Sequence, residues 1–202
     1  LQNMVVGNYR LRFGQGLILN SDFALGKNML IQGLGKQSAS IKPHRGTSEG
    51  NYYTGAATTL AWRAWQFTAF ASYREIDATL DGERISTLKT DGYHRTLLEQ
   101  ERRGNTRANL FGAHIGYAAH GFHIGLTAMY QSFNRQFALP TQAYKRYAPQ
   151  GNDFFNASID YAWHHHRLSI VGETAVDKKG SVATLNTLRV KVVDRLHLTL
   201  LH

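Results

Sequence analysis

Alternation of apolar and polar positions recurs along this chain, and helical periodicity is scarce. In 122–131 one face carries Phe122, Ile124, Leu126, Ala128 and Tyr130, and the other carries His123, Gly125, Thr127, Met129 and Gln131. Period two over ten residues marks a strand with one apolar and one mostly polar face. The same design returns as Phe155, Ala157, Ile159, Tyr161 and Trp163 against Asn156, Ser158, Asp160 and Ala162. It returns again as Phe111, Ala113, Ile115 and Tyr117 against Gly112, His114 and Gly116. Tyr9, Leu11 and Phe13 alternate with Asn8, Arg10 and Arg12. Phe67, Ala69, Ala71 and Tyr73 alternate with Thr68, Ser72 and Arg74, and Phe70 breaks the polar face of that segment.

These patterns predict nine strands at 5–19, 52–62, 66–76, 108–118, 122–133, 154–163, 167–177, 182–192 and 195–202. Connections at 63–65, 119–121, 164–166, 178–181 and 193–194 are tight, whereas 20–51, 77–107 and 134–153 are long. Tight and long connections alternate where all the tight turns lie at one end of an up-and-down sheet, as in bacterial outer-membrane barrels. Strands of about 10–12 residues fit the roughly 9–11 that cross a bilayer when tilted, against a mode near 5–6 in soluble sheets. The fold expected over 1–202 is therefore all-β, an antiparallel up-and-down transmembrane β-barrel with no second domain. A soluble sandwich or lipocalin-like barrel is the alternative. Nine is an odd number, and such single-chain barrels have an even one. A strand hidden in 20–51 would make ten, but a last strand running off the chain end reads as an excerpt of a larger barrel.

Aromatic placement separates the two folds. Tyr117, Phe122, Tyr161 and Trp163 bracket tight turns, and Tyr73 and Tyr130 lie at the opposite strand ends, as interfacial girdles do. The polar face would then line the lumen, with Arg10, Arg12, Arg74, His114, His123, Asp160, Glu173 and Arg189 as candidates. The arginines set against Asp160 and Glu173 would make a paired internal network, either plugging the barrel or setting the charge preference of a channel.

Composition supports this picture. Charged residues are 18% of the chain, below the roughly 25% of soluble domains, while 10 Phe, 10 Tyr and 3 Trp exclude a disordered chain. The absence of Cys excludes a disulfide scaffold, and no apolar run reaches the 18 or so residues of a membrane helix. The start at Leu1 carries no signal-peptide pattern. A net charge of +9 raises nucleic acid as a partner. The basic clusters Arg102-Arg103 with Arg107, Lys145-Arg146 and Lys178-Lys179 sit in or beside loops, however, where contact with lipopolysaccharide headgroups or simple solvation is the plainer reading.

Three stretches carry a resemblance. They are Val5-Val6-Gly7-Asn8-Tyr9-Arg10-Leu11-Arg12-Phe13-Gly14-Gln15-Gly16-Leu17 with Phe23-Ala24-Leu25-Gly26-Lys27, then Ile41-Lys42-Pro43-His44-Arg45-Gly46-Thr47-Ser48-Glu49, then Gly172-Glu173-Thr174-Ala175 with Ala183-Thr184-Leu185-Asn186-Thr187-Leu188. In that order they resemble the barrel region of Bacteroidota outer-membrane proteins that carry an N-terminal helix-hairpin-helix segment. The resemblance implies an outer-membrane location in a Gram-negative source. It links the family to DNA only through the helix-hairpin-helix module, which this chain lacks.

Chemical motifs are few. His164-His165-His166 reads as an exposed turn, since consecutive histidines point different ways and no carboxylate or Cys lies at ligand spacing. His114 and His123 flank the 119–121 turn; with 118 opposite 122, His114 faces about residue 126, so the two are at best diagonal neighbours, with a lumenal polar role preferred to a metal site. Asp160, Glu173 and Ser169 share back faces without any Gly-x-Ser-x-Gly or His-Glu-x-x-His motif, and Gly14-Gln15-Gly16 lacks the third glycine of a nucleotide loop. No enzyme, catalytic residue, metal or cofactor is expected. The expected function is an outer-membrane channel or conduit for a small solute. The alternatives are a surface binding protein whose long loops recognise an external ligand, and a component of DNA uptake or export.

Overall fold

A computed structural model describes residues 1–21, 39–46, 51–89, 92–138, 148–193 and 196–202. The strands are β1 (Asn3–Arg12), β2 (Ser40–Pro43), β3 (Tyr53–Trp62), β4 (Trp65–Asp81), β5 (Arg84–Lys89), β6 (Thr106–Ala119), β7 (Phe122–Phe137), β8 (Gly151–His165), β9 (Leu168–Asp177), β10 (Val182–Val193) and β11 (Leu196–Leu201). One short helix, α1 (Leu97–Glu101), precedes β6. The protein is all-β, and its sheet curls into a barrel-like wall.

Pairing runs β2-β1-β3-β4-β6-β7-β8-β9-β10-β11, every neighbour antiparallel, so sequence order and spatial order nearly coincide. β5 departs from the path. It folds back on the far end of β4 and meets β7 through a single parallel pair, Ile85 with Phe137. Among the described residues β2 and β11, the two end strands, do not pair with each other.

Eleven strands stand among the described residues where nine were expected. β2 lies within the expected loop 20–51, and the end of β4 together with β5 lies within the expected loop 77–107. β1 ends at Arg12 and not at residue 19, because Gly14 (φ 55°) and Gly16 (φ 87°) adopt left-handed backbone that no strand continues through. Tight hairpins join β3 to β4, β6 to β7 and β8 to β9. Their turn residues Arg63, His120 and His166 take positive φ, and His120 with Gly121 matches the two-residue turn that right-twisted strands prefer.

Asn105 manages the point where β4 changes partner from β6 to β5. Its side-chain amide accepts from Ala78 N (3.1 Å) and donates to Ala78 O (2.9 Å), replacing a strand residue at the fork.

The faces separate cleanly from β3 to β9. Leu60, Phe67, Ile115, Leu126 and Ile159 share one outward rung, and all are exposed. The next inward rung of these strands, Thr59, Thr68, His114, Thr127 and Ser158, is buried and polar. β1 obeys the opposite sign: Tyr9, Leu11 and Phe13 are buried inside, packed with Phe70, Leu110 and Met129, whereas Met4 and Val6 are exposed outside. Arg10 and Arg12 share that outward face, which corrects the expectation that they line the interior. The apolar face of β1 turns inward because Phe70, Leu110 and Met129 offer it an apolar patch there.

Candidate functional site

The interior centre is built over two glycines. Gly116 pairs with Gly125, Ala118 with His123 and His114 with Thr127, one position away from the register expected from sequence. On a strand the two histidines would stay separate, but the glycine rung between them carries no side chains, so both imidazoles lean over it. A Cβ on Gly125 would lie 2.7 Å from His114 Cε1 and against Asp160 Oδ2; one on Gly116 would lie 3.2 Å from His114 Nε2. The neighbouring β8 adds Asp160 directly across from Gly125.

His123 Nε2 lies 3.0 Å from Asp160 Oδ1, and His114 Nδ1 lies 2.9 Å from Thr127 Oγ1. The donor atoms of His114, His123 and Asp160 all lie within 4.8 Å of one another. His114 and Asp160 are buried, and His114 Nε2 has no hydrogen-bond partner among the described residues. Two imidazoles and a carboxylate converging on one point can share a proton or hold a metal ion.

Glu173, on β9, pairs with Asp160 and is fully buried. Its Oε2 accepts from Gln15 N (2.7 Å) and Leu17 N (3.1 Å), and a Cβ on Gly14 would meet it at 2.8 Å. The segment 13–19 therefore leaves the end of β1 and crosses the interior to β9. It starts from Phe13, which stacks on His114 (4.6 Å, 19°) and on Phe70 (5.8 Å, 20°). Backbone bonds from Phe13 N to Leu19 O and from Ser21 N to Leu11 O close it as a hairpin-like loop. Among the described residues backbone N–H groups, not the expected arginines, hold Glu173.

A second feature lies at the long-loop end, a cavity of ≈ 620 Å³ lined by Tyr53, Arg74, Asp77, Lys89, His94 and Arg103 among others. Arg74 does face inward as expected. It donates to Tyr52 O (3.0 Å) with its guanidinium 3.9 Å from the centre of the Tyr52 ring. Asp77 holds both ends of the α1 segment, accepting from Gly104 N (2.7 Å) and lying 2.7 Å from His94 Nε2. A capping box starts α1: Thr96 Oγ1 accepts from Glu99 N (3.2 Å), and Glu99 Oε2 from Thr96 N (3.0 Å). Backbone N–H groups of Thr96 and Arg95 hold the Glu99 carboxyl below its ordinary range. The Thr96-x-x-Glu99 spacing was the one signal in 77–107 that the expected loop concealed an ordered segment.

The remaining sequence candidates fall as follows. Arg189 shares the face of buried Thr187 on β10 and pairs with Ser169 and Thr199. Tyr73, Phe122, Tyr130 and Trp163 are exposed on the outward face. Tyr117 and Tyr161 are half-buried, the first against Trp65 (5.0 Å between ring centres) and the second donating to Asn186 Oδ1 (2.6 Å). His164, His165 and His166 are exposed at their turn. Arg107 approaches Glu75 at 3.5 Å and Lys178 pairs with Asp153, while Lys145 and Arg146 lie outside the described residues.

No described helix is long and apolar enough to cross a membrane. Comparisons with protein-family models, curated proteins and solved structures give no match.

Proposed function

We propose that the chain forms part of an outer-membrane β-barrel that serves as an anchor, presenting a binding cavity at its long-loop end to a small, negatively charged polar solute. The observation that carries this reading is the 13–19 segment lying across the interior, which favours a filled barrel over the open conduit expected from sequence. The acidic residues lining the cavity are already engaged, Asp77 with His94 and Gly104, and Glu75 with Arg107. Arg74, Lys89 and Arg103 give the cavity its cationic surplus, and Tyr52 and Tyr53 supply flat apolar walls.

The membrane part of the reading rests on the outward face. Phe122 and Tyr130 end an exposed apolar run on β7. The eight residue steps from Phe122 to Tyr130, at about 3.4 Å each and tilted by about 40°, give about 21 Å of height, close to the roughly 25 Å apolar band of such barrels. Bilayer lipid, with lipopolysaccharide in the outer leaflet, is the partner this surface fits.

The test is reconstitution of the full chain. We expect it to float with lipid vesicles, resist extraction at alkaline pH and show no steady conductance in planar bilayers. A water-soluble monomer without detergent would sink the membrane reading, and a stable ohmic conductance would restore the channel.

A further inference from the structure

We propose that His114, His123 and Asp160 form a three-ligand site for a divalent first-row transition-metal ion inside the wall. The site is independent of the loop-end cavity and of whether lipid surrounds the barrel. Two imidazole nitrogens and one carboxylate oxygen suit zinc or iron(II) and disfavour magnesium or calcium, which take all-oxygen shells.

Several independent observations converge on the site. His114 is fully buried, and its Nε2 has no hydrogen-bond partner among the described residues. An orphaned buried imidazole nitrogen is costly, and a metal ion would satisfy it. Its other nitrogen faces Thr127 Oγ1 at 2.9 Å, the outer contact that commonly fixes the tautomer and ring of a metal-bound histidine. The neighbouring strands put glycine at the two positions, 116 and 125, where a side chain would fill the space between the donors. Glu173 lies beside Asp160 with Oε1 unpartnered among the described residues, so a second buried carboxylate adds negative charge next to the ligand set.

Metal–ligand bonds of about 2.0–2.1 Å allow donors no more than about 4.2 Å apart. The donor atoms lie within 4.8 Å, and His123 Nε2 and Asp160 Oδ1 are already 3.0 Å apart. Closing the set takes a shift of a few tenths of an ångström, a distance on the scale of side-chain rotation. Three protein ligands leave at least one coordination position open.

The probe is Co²⁺, added to the full chain folded in detergent and free of chelator and affinity tag. One equivalent should bind with visible ligand-field absorption and be displaced by Zn²⁺. His114→Ala and His123→Ala should each abolish the signal, and Thr127→Val, which leaves every ligand in place, should weaken binding about 10–100-fold. Replacing His164, His165 and His166 together by Ala should leave the stoichiometry and affinity unchanged, because that surface triplet is the competing source of metal binding.

Circular dichroism reports whether each variant folds, and imidazole nitrogen NMR of the unaltered protein needs no variant at all. Zn²⁺ should shift the Nε2 resonances of His114 and His123. Absence of binding at about 1 mM Co²⁺, where any affinity would be no better than about −4 kcal/mol, overturns the proposal. So does binding that survives His114→Ala or His123→Ala, or shifts confined to the 164–166 turn.

Discussion

β7 and β1 have nearly the same alternating design and turn it in opposite directions. On β7 the apolar residues Phe122, Ile124, Leu126 and Tyr130 point out, Leu126 with half its surface exposed at 50%, while Gly125 and Thr127 are buried inside. On β1 and just past its end Tyr9, Leu11 and Phe13 point in at 0–1% exposure and the arginines point out. Alternation thus establishes that a strand has two unlike faces, but not which of them is inside. The inward faces of β4, β6 and β7 decide it, through the apolar residues that interrupt their polar pattern. Phe70, Leu110 and Met129 form an apolar patch, and the only strand that can cover it from within is one whose own apolar face turns inward.

The largest test of this contrast removes the inward anchor. Phe13→Ala deletes a ring stacked on both Phe70 and His114, and a cost of about 3–5 kcal/mol is expected for such a core truncation. Urea unfolding of the folded protein measures it; a cost below about 1 kcal/mol would mean that β1 does not fill the interior. Next comes the outward face. Leu126→Arg should cost about 2–4 kcal/mol in lipid, the penalty for a cation at mid-bilayer on a barrel's lipid face. In water the same change at an exposed position should stay within about 0.5 kcal/mol, so the difference between the two solvents reports what surrounds β7. Glu173→Gln ranks third. It keeps the shape but weakens the acceptor for Gln15 N and Leu17 N, and hydrogen bonds to charged groups contribute about 1.5–3 kcal/mol. Faster hydrogen exchange at those two amides, with β1 unchanged, would localise the effect to the inserted loop.

The sequence made much of the wall legible. Eight of the nine expected strands appear within a few residues of their predicted bounds, because period two and tight turns are local properties. What stayed hidden is non-local. β2 and β5 are short strands added to the edges of longer ones, and their pairing with β1 and β4 is not written in their own four and six residues. The Gly14-Gln15-Gly16 turn was visible as glycine-rich, but its destination, Glu173 on β9, is 156–158 residues away in sequence. The polar cluster was partly legible: His114, His123, Asp160 and Glu173 were all assigned inward. Their convergence depends on the Gly116–Gly125 rung, and a one-residue difference in hairpin register placed that rung between the histidines. Register in a hairpin depends on which residues occupy the turn, here His120 and Gly121 with positive φ, which the apolar pattern alone does not specify.

The smallest expected effect is also the most direct test of the corrected sign of β1. If Arg12 faced the interior and balanced Glu173, replacing it by Leu would leave a buried carboxylate without its partner, at about 3–5 kcal/mol. The structure instead puts Arg12 on the outward face opposite Ser40 of β2, with Leu11 and Phe13 on the other side of the strand. Arg12 is half-buried there and does not belong to the core cluster of Tyr9, Leu11 and Phe13, and ion pairs or hydrogen bonds near the surface contribute about 0–1 kcal/mol. Arg12→Leu should therefore shift the unfolding free energy by less than about 1 kcal/mol while Glu173→Gln shifts it by more. Combining the two should give the sum of their separate effects, because the two side chains lie on opposite faces of β1. A coupling energy above about 1 kcal/mol in that double-mutant cycle would place Arg12 back inside with Glu173 and reverse the orientation assigned to β1.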